Sequence, residues 1–314
     1  MRSEPAAEAP DRILAMLDLG LFVATVAIWG TTWLAIALQI GPVPVLTSIF
    51  YRFGLAAILL LPALALTGRL TRLDRRGHLF VALQGLFLFS LNFVCFYNAT
   101  RFIPSGLVSV VFSLATLFNA VNARLFFGEP IARRTLVAAA LGVGGLVVLF
   151  APSILADGLG AEAPIGLGLA ALGTLSFSLG NMVSRRNSKA GIPPLTANAY
   201  GMAYASVALF ALLGVTGTPI VAPPDATYVA ALLHLAVLGS IVGFTTYLML
   251  VARIGSDRAA YATVMFPIIA LVLSAAFEGY VFDLGTVIGL ALALLGNVVA
   301  FAGVPTMRRR RAVT

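Results

Sequence analysis

The residue with the clearest capacity for chemistry is Arg52, which lies inside a long apolar run at 44–66. A charge within the hydrocarbon layer costs about 2.5 kcal/mol or more, so such a residue normally faces a cavity or a partner. Its guanidinium could hold a substrate carboxylate through two parallel hydrogen bonds. The alternative is structural, with Arg52 pinning its helix to backbone carbonyls or to a carboxylate such as Glu278. The sequence leaves both interpretations open.

Aromatic and amide side chains form a second group of candidate ligand-binding residues. Trp29 and Trp33 are four positions apart and therefore share one face of a helix. Tyrosine hydroxyls and asparagine amides could supply the few aimed hydrogen bonds that a small zwitterion needs in an apolar, aromatic site. For any single one of them, joining neighbouring helices is the more ordinary role. The predicted substrate-binding residues are Trp29, Trp33, Tyr51, Arg52, Asn92, Tyr97, Asn181, Tyr200 and Tyr247.

Three further residues are candidates for gating or for structural roles at helix ends. Glu129 and Glu278 each follow an apolar run, and we expect them to pair with nearby arginines rather than to contact substrate directly. Pro267 lies inside an apolar run, where it would free a backbone carbonyl and kink the helix. It is therefore a candidate hinge.

The residues that metal chemistry or enzymatic catalysis would need are missing from the pattern. The two histidines, His78 and His234, fall in a loop and in a distant apolar run, and Cys95 is the single cysteine. We therefore predict no metal, no cofactor and no enzyme. Since no Asp or Glu lies in the middle of an apolar run, we favour facilitated diffusion or exchange over proton coupling. His234 is the titratable residue that would carry proton coupling if it exists.

The composition indicates that the helices carrying these residues lie in a membrane. Of the 314 residues, 60% are hydrophobic and 10% are charged, and the mean hydropathy is +1.01. Soluble domains carry about a quarter charged residues. Runs of about 20 apolar residues cross a bilayer as helices. We predict an all-α membrane protein with ten spans, at 17–38, 44–66, 79–98, 105–127, 135–151, 165–184, 197–216, 228–250, 259–277 and 285–303.

The basic residues predict how the chain is oriented. Nearly all of the 20 Lys and Arg residues fall in alternate loops and in the two tails, on one side of the predicted spans. This bias is the positive-inside rule, and it predicts that both termini are cytoplasmic. It also explains the net charge of +8 without nucleic acid, which we do not expect as a partner. The expected location is the plasma membrane, the inner membrane of a bacterium.

An internal repeat divides the spans into two groups of five. LGVGGLVVLFA at 141–151 aligns without a gap on LALLGNVVAFA at 292–302. Because five is odd, the second unit must enter the membrane from the opposite side, which predicts an inverted pair around a central site. The predicted division is a tail at 1–16, repeats at 17–151 and 165–303, an external linker at 152–164 and a basic tail at 304–314.

The chain resembles the EamA family of the drug/metabolite transporter superfamily. The resemblance rests on the repeat, on IWGTTW at 28–33, YRF at 51–53, LFFGE at 125–129, and Phe266-Pro267 followed by FEGY at 277–280. It covers about 20–303, and it implies ten helices around a central cavity and export of amino acids or other small metabolites.

The expected function is therefore a secondary transporter that moves small metabolites, amino acids or their derivatives, out of the cell by alternating access. The alternatives are a proton-coupled drug/metabolite antiporter and a channel. The expected partners are a small-molecule substrate and the lipid bilayer. The oligomeric state does not follow from the sequence, and a monomer is compatible with it.

Overall fold

The computed structural model describes residues 8–155, 162–254 and 261–301. In these ranges every regular element is a helix, and no strand is assigned. Of the predicted linker at 152–164, residues 156–161 lie outside the described ranges, as does the predicted tail at 304–314. Residues 152–155 instead continue the preceding helix, and a turn at Glu162 begins the next one.

The helices follow one another with short connections, and we number them in chain order. They are α1 (Glu8–Ala37), α2 (Val45–Leu66), α3 (Arg75–Ala99), α4 (Ser105–Phe127), α5 (Arg133–Leu155), α6 (Ala163–Lys189), α7 (Pro194–Thr216), α8 (Ala226–Leu233, continuing through His234–Val242 and Gly243–Ile254), α9 (Tyr261–Phe277) and α10 (Leu284–Phe301).

Length and composition show that this is a multi-pass membrane protein. In the described residues, 8 helical segments are long and apolar enough to cross a bilayer, and they belong to α1 to α8. The apolar segments found in α9 and α10, Met265–Phe277 and Leu284–Val299, are shorter. Large apolar side chains such as Ile58 and Leu125 are exposed on the outer surface, as lipid-facing residues must be. The predicted helical membrane architecture is confirmed at this level.

Local chemistry explains where several helices begin and end. The Asp74 carboxylate accepts a hydrogen bond from the Gly77 amide at 2.7 Å and caps α3, and Asp225 caps α8 through the Tyr228 amide at 2.7 Å. Helix α4 ends at Gly128, whose φ of 70° is left-handed and favours glycine. Pro130 follows two residues later and cannot continue the helix.

Two helices contain π-helical turns in their middles. These turns cover Leu86–Leu91 in α3 and His234–Val242 in α8. A π turn widens the helix locally and redirects its carbonyls and side chains, and such turns are frequent at functional sites. The π segment of α8 carries Gly239 and Ser240, which face α1 and α2.

Packing brings helices from the two halves of the chain together. Helix α5 packs along α10, α1 along α9, α2 along α7 and α4 along α6. The α5–α10 contact is so close that a Cβ added at Gly145 would lie 2.6 Å from the Gly289 carbonyl oxygen. The centre of the main core holds large, fully buried side chains of α2 and α3, including Phe53, Phe89 and Tyr97.

Candidate functional site

A cavity lies at the centre of the helices, and its walls come from both halves of the chain. Its volume is about 80 Å³. Helices α1, α2, α3, α4, α6, α8 and α9 all contribute to its walls. The lining residues are Trp29, Thr32, Trp33, Ile36, Arg52, Leu88, Asn92, Phe93, Phe96, Phe112, Phe177, Gly239, Phe244, Thr263 and Phe266. The wall is thus mostly aromatic, with a few polar groups.

Arg52 is the charged residue of this cavity, and it is held on two sides. It is 3% exposed, its Nε donates to Ser240 Oγ at 3.2 Å, and its guanidinium lies 4.2 Å from the ring centroid of Phe93. The Nη1 atom is buried and has no hydrogen-bond partner among the described residues. An unpaired buried donor of this kind is costly, and a ligand that accepts from it would remove the cost.

The suggested pairing of Arg52 with Glu278 does not occur in the structure. The Glu278 Oε2 atom accepts from the Ser105 amide at 2.9 Å and from the Ser274 hydroxyl. Glu278 therefore joins the end of α9 to the start of α4, where a carboxylate complements the positive end of the helix dipole. Arg52 is instead linked to α8 by its hydrogen bond to Ser240.

The π turn of α8 is what brings polar groups to Arg52 and to α1. The Trp29 indole Nε1 donates to the Gly239 carbonyl oxygen at 3.3 Å, and His234 Nε2 lies 3.0 Å from Thr31 Oγ1. A Cβ at Gly239 would lie 2.7 Å from the Thr32 methyl group, so the approach of α1 requires a residue without a side chain. Together with the hydrogen bond from Arg52 to Ser240, these contacts link α1 and α2 to one short segment of α8.

Each of the two tryptophans on the cavity wall contacts its own set of aromatic rings. The Trp29 ring lies 5.1 Å from Tyr247 and 5.4 Å from Phe244. The Trp33 ring lies 5.4 Å from Phe96 and 6.2 Å from Phe266. Such ring contacts give the wall a rigid, apolar surface.

A second cavity of about 340 Å³ adjoins the first. It shares Trp29, Leu88, Phe112, Phe177, Phe244 and Thr263 with the central cavity, and it adds Asn119, Asn181, Ser184, Pro194, Asn198 and Tyr247. Ser184 lies beside the basic C-terminal turn of α6, which carries Arg185, Arg186 and Lys189, and Pro194 is the first residue of α7. The second cavity therefore extends from the central site towards this basic turn, and we call it the vestibule.

The opposite end of the helices is closed by direct hydrogen bonds. The Tyr97 hydroxyl donates to Gln39 Oε1 at 2.8 Å, and Ser48 Oγ lies 2.7 Å from the Tyr228 hydroxyl. The Thr47 and Tyr51 hydroxyls donate to backbone carbonyls of the connection between α7 and α8, each at 2.9 Å. The two cavities thus extend towards the basic end of α6, whereas these hydrogen bonds join the helices at the opposite end.

The structure brings six of the nine predicted binding residues to the two cavities. Trp29, Trp33, Arg52 and Asn92 line the central cavity, and Asn181 and Tyr247 line the vestibule. Tyr51 and Tyr97 belong to the closed end described above. Tyr200 packs against the His78 ring at 5.1 Å, near the start of α3.

Sequence reasoning missed most of the cavity wall. Phe93, Phe96, Phe112 and Phe244 were not singled out, because phenylalanines in apolar runs look the same whether they face a cavity, the core or lipid. Gly239 and Ser240 were missed because no sequence pattern predicts a π turn. Phe96 lies four residues after Asn92 on α3, and this spacing was an available signal.

Glu129 lies just after the end of α4, and Pro267 lies inside α9. Arg185 pairs with the Glu129 carboxylate, one of the hydrogen bonds being 2.9 Å, and this contact joins the end of α4 to the end of α6. The hydrogen bond from Arg185 holds the pKa of Glu129 below its usual value. Pro267 lies inside α9, next to the cavity residue Phe266. Within the described ranges no group of three or more His, Cys, Asp or Glu side chains could hold a metal ion.

Comparison with known proteins identifies relatives over most of the chain. The chain is 29% identical over 263 residues to the "Uncharacterized inner membrane transporter YedA" of Escherichia coli strain K12, which covers 83% of this chain and 82% of that protein. It is 24% identical over 253 residues to an "Uncharacterized transporter" of Clostridium kluyveri, covering 80% of this chain and 81% of the relative.

A protein of known crystal structure has the same fold. It matches with a TM-score of 0.62 and 21% sequence identity, over 91% of this chain and 96% of the other. The model of the EamA-like transporter family matches residues 17–151 and 164–302. These two ranges cover nearly the whole chain, and the resemblance that the motifs indicated is thereby confirmed. The chain belongs to the EamA-like transporter family.

Proposed function

We propose that this protein is a secondary transporter that moves small carboxylate-bearing metabolites, the class of amino acids and their derivatives, out of the cell by alternating access. The observation that carries the proposal is the buried Nη1 atom of Arg52, which has no hydrogen-bond partner among the described residues and belongs to a residue on the cavity wall. A carboxylate is the ligand group that a guanidinium binds best. General transport is the activity of the family, and Arg52 supplies the chemical preference.

The position of Arg52 suits a binding step that is coupled to helix movement. Its Nε is tied to Ser240 on α8 and its side chain starts on α2, while its ring contact is with Phe93 on α3. A substrate that binds Nη1 therefore acts on three helices at once. Binding energy at such a junction can shift the balance between two arrangements of the helices.

Matching features in the two halves support an inverted repeat of five helices each. The π turns occur in α3 and α8, the third helix of each predicted half. The same two helices begin with an aspartate that caps the amide three residues on, Asp74 in α3 and Asp225 in α8. The family model also matches in two ranges, close to the predicted repeats at 17–151 and 165–303. Inverted halves can exchange an inward-open and an outward-open state around one site.

The open vestibule and the closed opposite end fit one of these two states. If the basic loops are cytoplasmic, as the positive-inside rule predicts, the structure corresponds to the inward-open state. An exporter loads its substrate in that state. The ring of contacts from Gln39, Ser48 and Tyr51 would then be the outer gate, which must separate for release.

The experiment is counterflow of radiolabelled carboxylates in proteoliposomes made with purified protein. We expect saturable uptake that requires unlabelled substrate inside. The variant Arg52→Gln should lose at least about 90% of it, since the buried charge that holds the carboxylate is gone. Arg52→Lys keeps the charge but cannot form two parallel hydrogen bonds, so its counterflow should lie between that of the wild type and that of Arg52→Gln. The control Arg101→Gln changes an exposed arginine in the loop between α3 and α4 and should transport normally.

The outcomes separate a carrier from the other possibilities. Wild-type flux in an Arg52→Gln protein that is folded and monodisperse would remove the substrate role of Arg52. Flux that does not saturate and shows no counterflow would indicate a channel instead.

Proton-coupled antiport is the second candidate, and one contact favours it. His234 is the first residue of the π turn that carries Ser240, and its ring contacts Thr31 on α1. A change in its protonation could therefore reach the segment that holds Arg52. Transport that stops when the pH gradient is collapsed, and that becomes insensitive to the gradient in His234→Gln, would establish coupling. Transport of equal rate with and without the gradient would exclude it.

A further inference from the structure

The walls of the two cavities carry a positive charge with no negative partner. Arg52 lines the central cavity, and no Asp or Glu is among the described residues that line either this cavity or the vestibule. A zwitterionic amino acid brings an ammonium group together with its carboxylate. Once the carboxylate binds Arg52, the ammonium group would have to lie in the same cavities, whose described lining has no carboxylate to neutralise it.

Neutral acceptors near Arg52 each already accept a hydrogen bond within the protein, so each has one lone pair left for a ligand. The Gly239 carbonyl oxygen accepts from the Trp29 indole at 3.3 Å, and Asn92 Oδ1 accepts from the Phe93 amide at 2.8 Å. The Thr32 hydroxyl donates to the Trp29 carbonyl at 2.7 Å, which leaves its oxygen as a single neutral acceptor. An ammonium group has three donors and needs several acceptors when it leaves water.

In the vestibule, too, amide oxygens accept hydrogen bonds from other side chains of the protein. Asn119 Oδ1 accepts from the Asn181 amide at 3.3 Å, and Asn198 Oδ1 accepts from the Gln84 amide at 3.3 Å. Each of these carbonyl oxygens keeps one lone pair, and the hydroxyl groups of Thr116, Ser184 and Tyr247 also line the vestibule. The described lining therefore offers an ammonium group single neutral acceptors and no carboxylate.

Aromatic rings can also hold an ammonium group through cation–π contacts. The Phe93 ring, however, already contacts the guanidinium of Arg52. The guanidinium of Arg52 already lies over Phe93 at 4.2 Å and within 5.1 Å of Phe53. A second cation placed beside it would meet the repulsion of the guanidinium in a site of low polarity. The remaining walls of Trp33, Phe96 and Phe112 suit an uncharged body.

We infer that the substrates are monocarboxylates with an apolar or aromatic body and no free ammonium group. This inference rests on the proposed function, in which Arg52 binds the carboxylate. It narrows the class of amino acids and their derivatives to derivatives whose amine is absent or acylated.

The test compares ligands that differ only in the amino group. The first pair is 3-phenylpropionate and phenylalanine, the second is 4-methylpentanoate and leucine, and phenethylamine lacks the carboxylate instead. Binding is measured by thermal shift and by titration calorimetry on the full-length protein, and flux is measured in proteoliposomes. We expect each plain carboxylate to bind at least about tenfold more tightly than its amino acid, because an unpaired ammonium is costly to bury. Phenethylamine should not bind.

The outcomes distinguish this inference from the proposed function. If phenylalanine and leucine bind as tightly as the plain acids, and Arg52→Gln abolishes binding of both kinds, the proposed function stands and the inference is wrong. If Arg52→Gln binds 3-phenylpropionate as the wild type does, or if no carboxylate binds at all, both fail. The wild-type comparison does not depend on any variant folding, and Arg52→Lys serves as a second variant that keeps the buried charge.

Discussion

In the Arg52 side chain, one nitrogen makes a structural hydrogen bond and another, also buried, makes none to the described residues. Its Nε donates to Ser240 while Nη1 has no partner among the described residues, although the residue is only 3% exposed. The Ser240 hydroxyl in turn donates to the Leu235 carbonyl within the π turn at 2.9 Å. The direction of the guanidinium therefore depends on the local shape of α8.

The first prediction concerns this positioning. Ser240→Ala removes the acceptor from Arg52 Nε, and a hydrogen bond to a charged group contributes about 1.5 kcal/mol or more. We expect KM for transport to rise about tenfold with a smaller change in the maximal rate, as measured by initial rates in proteoliposomes. The control Ser206→Ala removes a hydroxyl that donates to the Met202 carbonyl within α7 and should leave KM unchanged. An unchanged KM in Ser240→Ala would show that Phe93 and the helix backbone suffice to orient Arg52.

At the level of the helices, close approach of backbones determines where side chains can be tolerated. A Cβ at Gly85, just before the π turn of α3, would lie 2.2 Å from the Gly201 carbonyl oxygen on α7. The neighbour there is backbone, so it cannot rotate away. A Cβ at Gly168 on α6 would meet nothing within 4 Å.

The second prediction compares these two glycines. Gly85→Ala should destabilise the protein by about 3 kcal/mol, at the upper end for overpacking, because α3 and α7 must separate. Gly168→Ala should leave the thermal midpoint unchanged or slightly higher, since alanine favours a helix over glycine. The thermal midpoint of purified protein in one detergent measures both. Equal midpoints for the two variants would mean that the α3–α7 contact is looser than the structure has it.

The ion pair of Glu129 and Arg185 joins α4 to α6 at the basic side of the molecule. The two side chains are 45% and 38% exposed, so solvent screens the pair and its contribution is at most about 1 kcal/mol. The pKa of Glu129 is lower in the folded protein because Arg185 donates to its carboxylate. Its contribution to stability is therefore present above the unfolded pKa and is lost as the pH falls through the folded pKa.

The third prediction follows from that sign. Glu129→Gln should lower the thermal midpoint slightly at pH 7, and the difference from wild type should shrink as the pH falls from about 4.3 through the lowered folded pKa of Glu129, where the carboxylate becomes protonated. The difference should also shrink in high salt. Thermal unfolding across this pH range measures it, with Glu162→Gln as the control because that side chain makes no capping hydrogen bond at the start of α6. A difference that persists at low pH would show that the loss of charge at Glu129 is not its cause.

At the scale of the whole molecule, the proposal depends on how the halves are inserted. Helices α2 and α7, and likewise α5 and α10, are equivalent in the predicted repeat, and each pair packs together. Pairs of equivalent elements in contact are what a two-fold axis between the halves produces. The central cavity then lies where residues of both halves meet.

The fourth prediction concerns the orientation of the chain. Because the basic loops and tails share one side, both termini should be cytoplasmic. A green fluorescent protein fused to either terminus should fluoresce, and alkaline phosphatase fused after Arg101, on the other predicted side, should be active. Phosphatase fused after Arg134 is the control and should be inactive. Termini on opposite sides of the membrane would contradict the inverted repeat.

The sequence by itself determined the class of the molecule and its most informative residue. Long apolar runs in a chain of 10% charged residues can only be helices in lipid, because bare backbone polar groups are not tolerated there. Arg52 stood out for the same reason, since a charge in an apolar run needs an explanation that lies within the protein. The family followed from the order of motifs.

Only the tertiary structure decided what surrounds Arg52. The π turn of α8 depends on packing against α1 and α2, so the roles of Gly239 and Ser240 could not be read from their neighbours in the chain. The direction in which a phenylalanine points depends on how each helix is rotated, which separates Phe93 and Phe112 on the cavity wall from the lipid-facing Phe210. Helix rotation is set by contacts between distant segments, and a membrane sequence that is apolar on every face carries little trace of it.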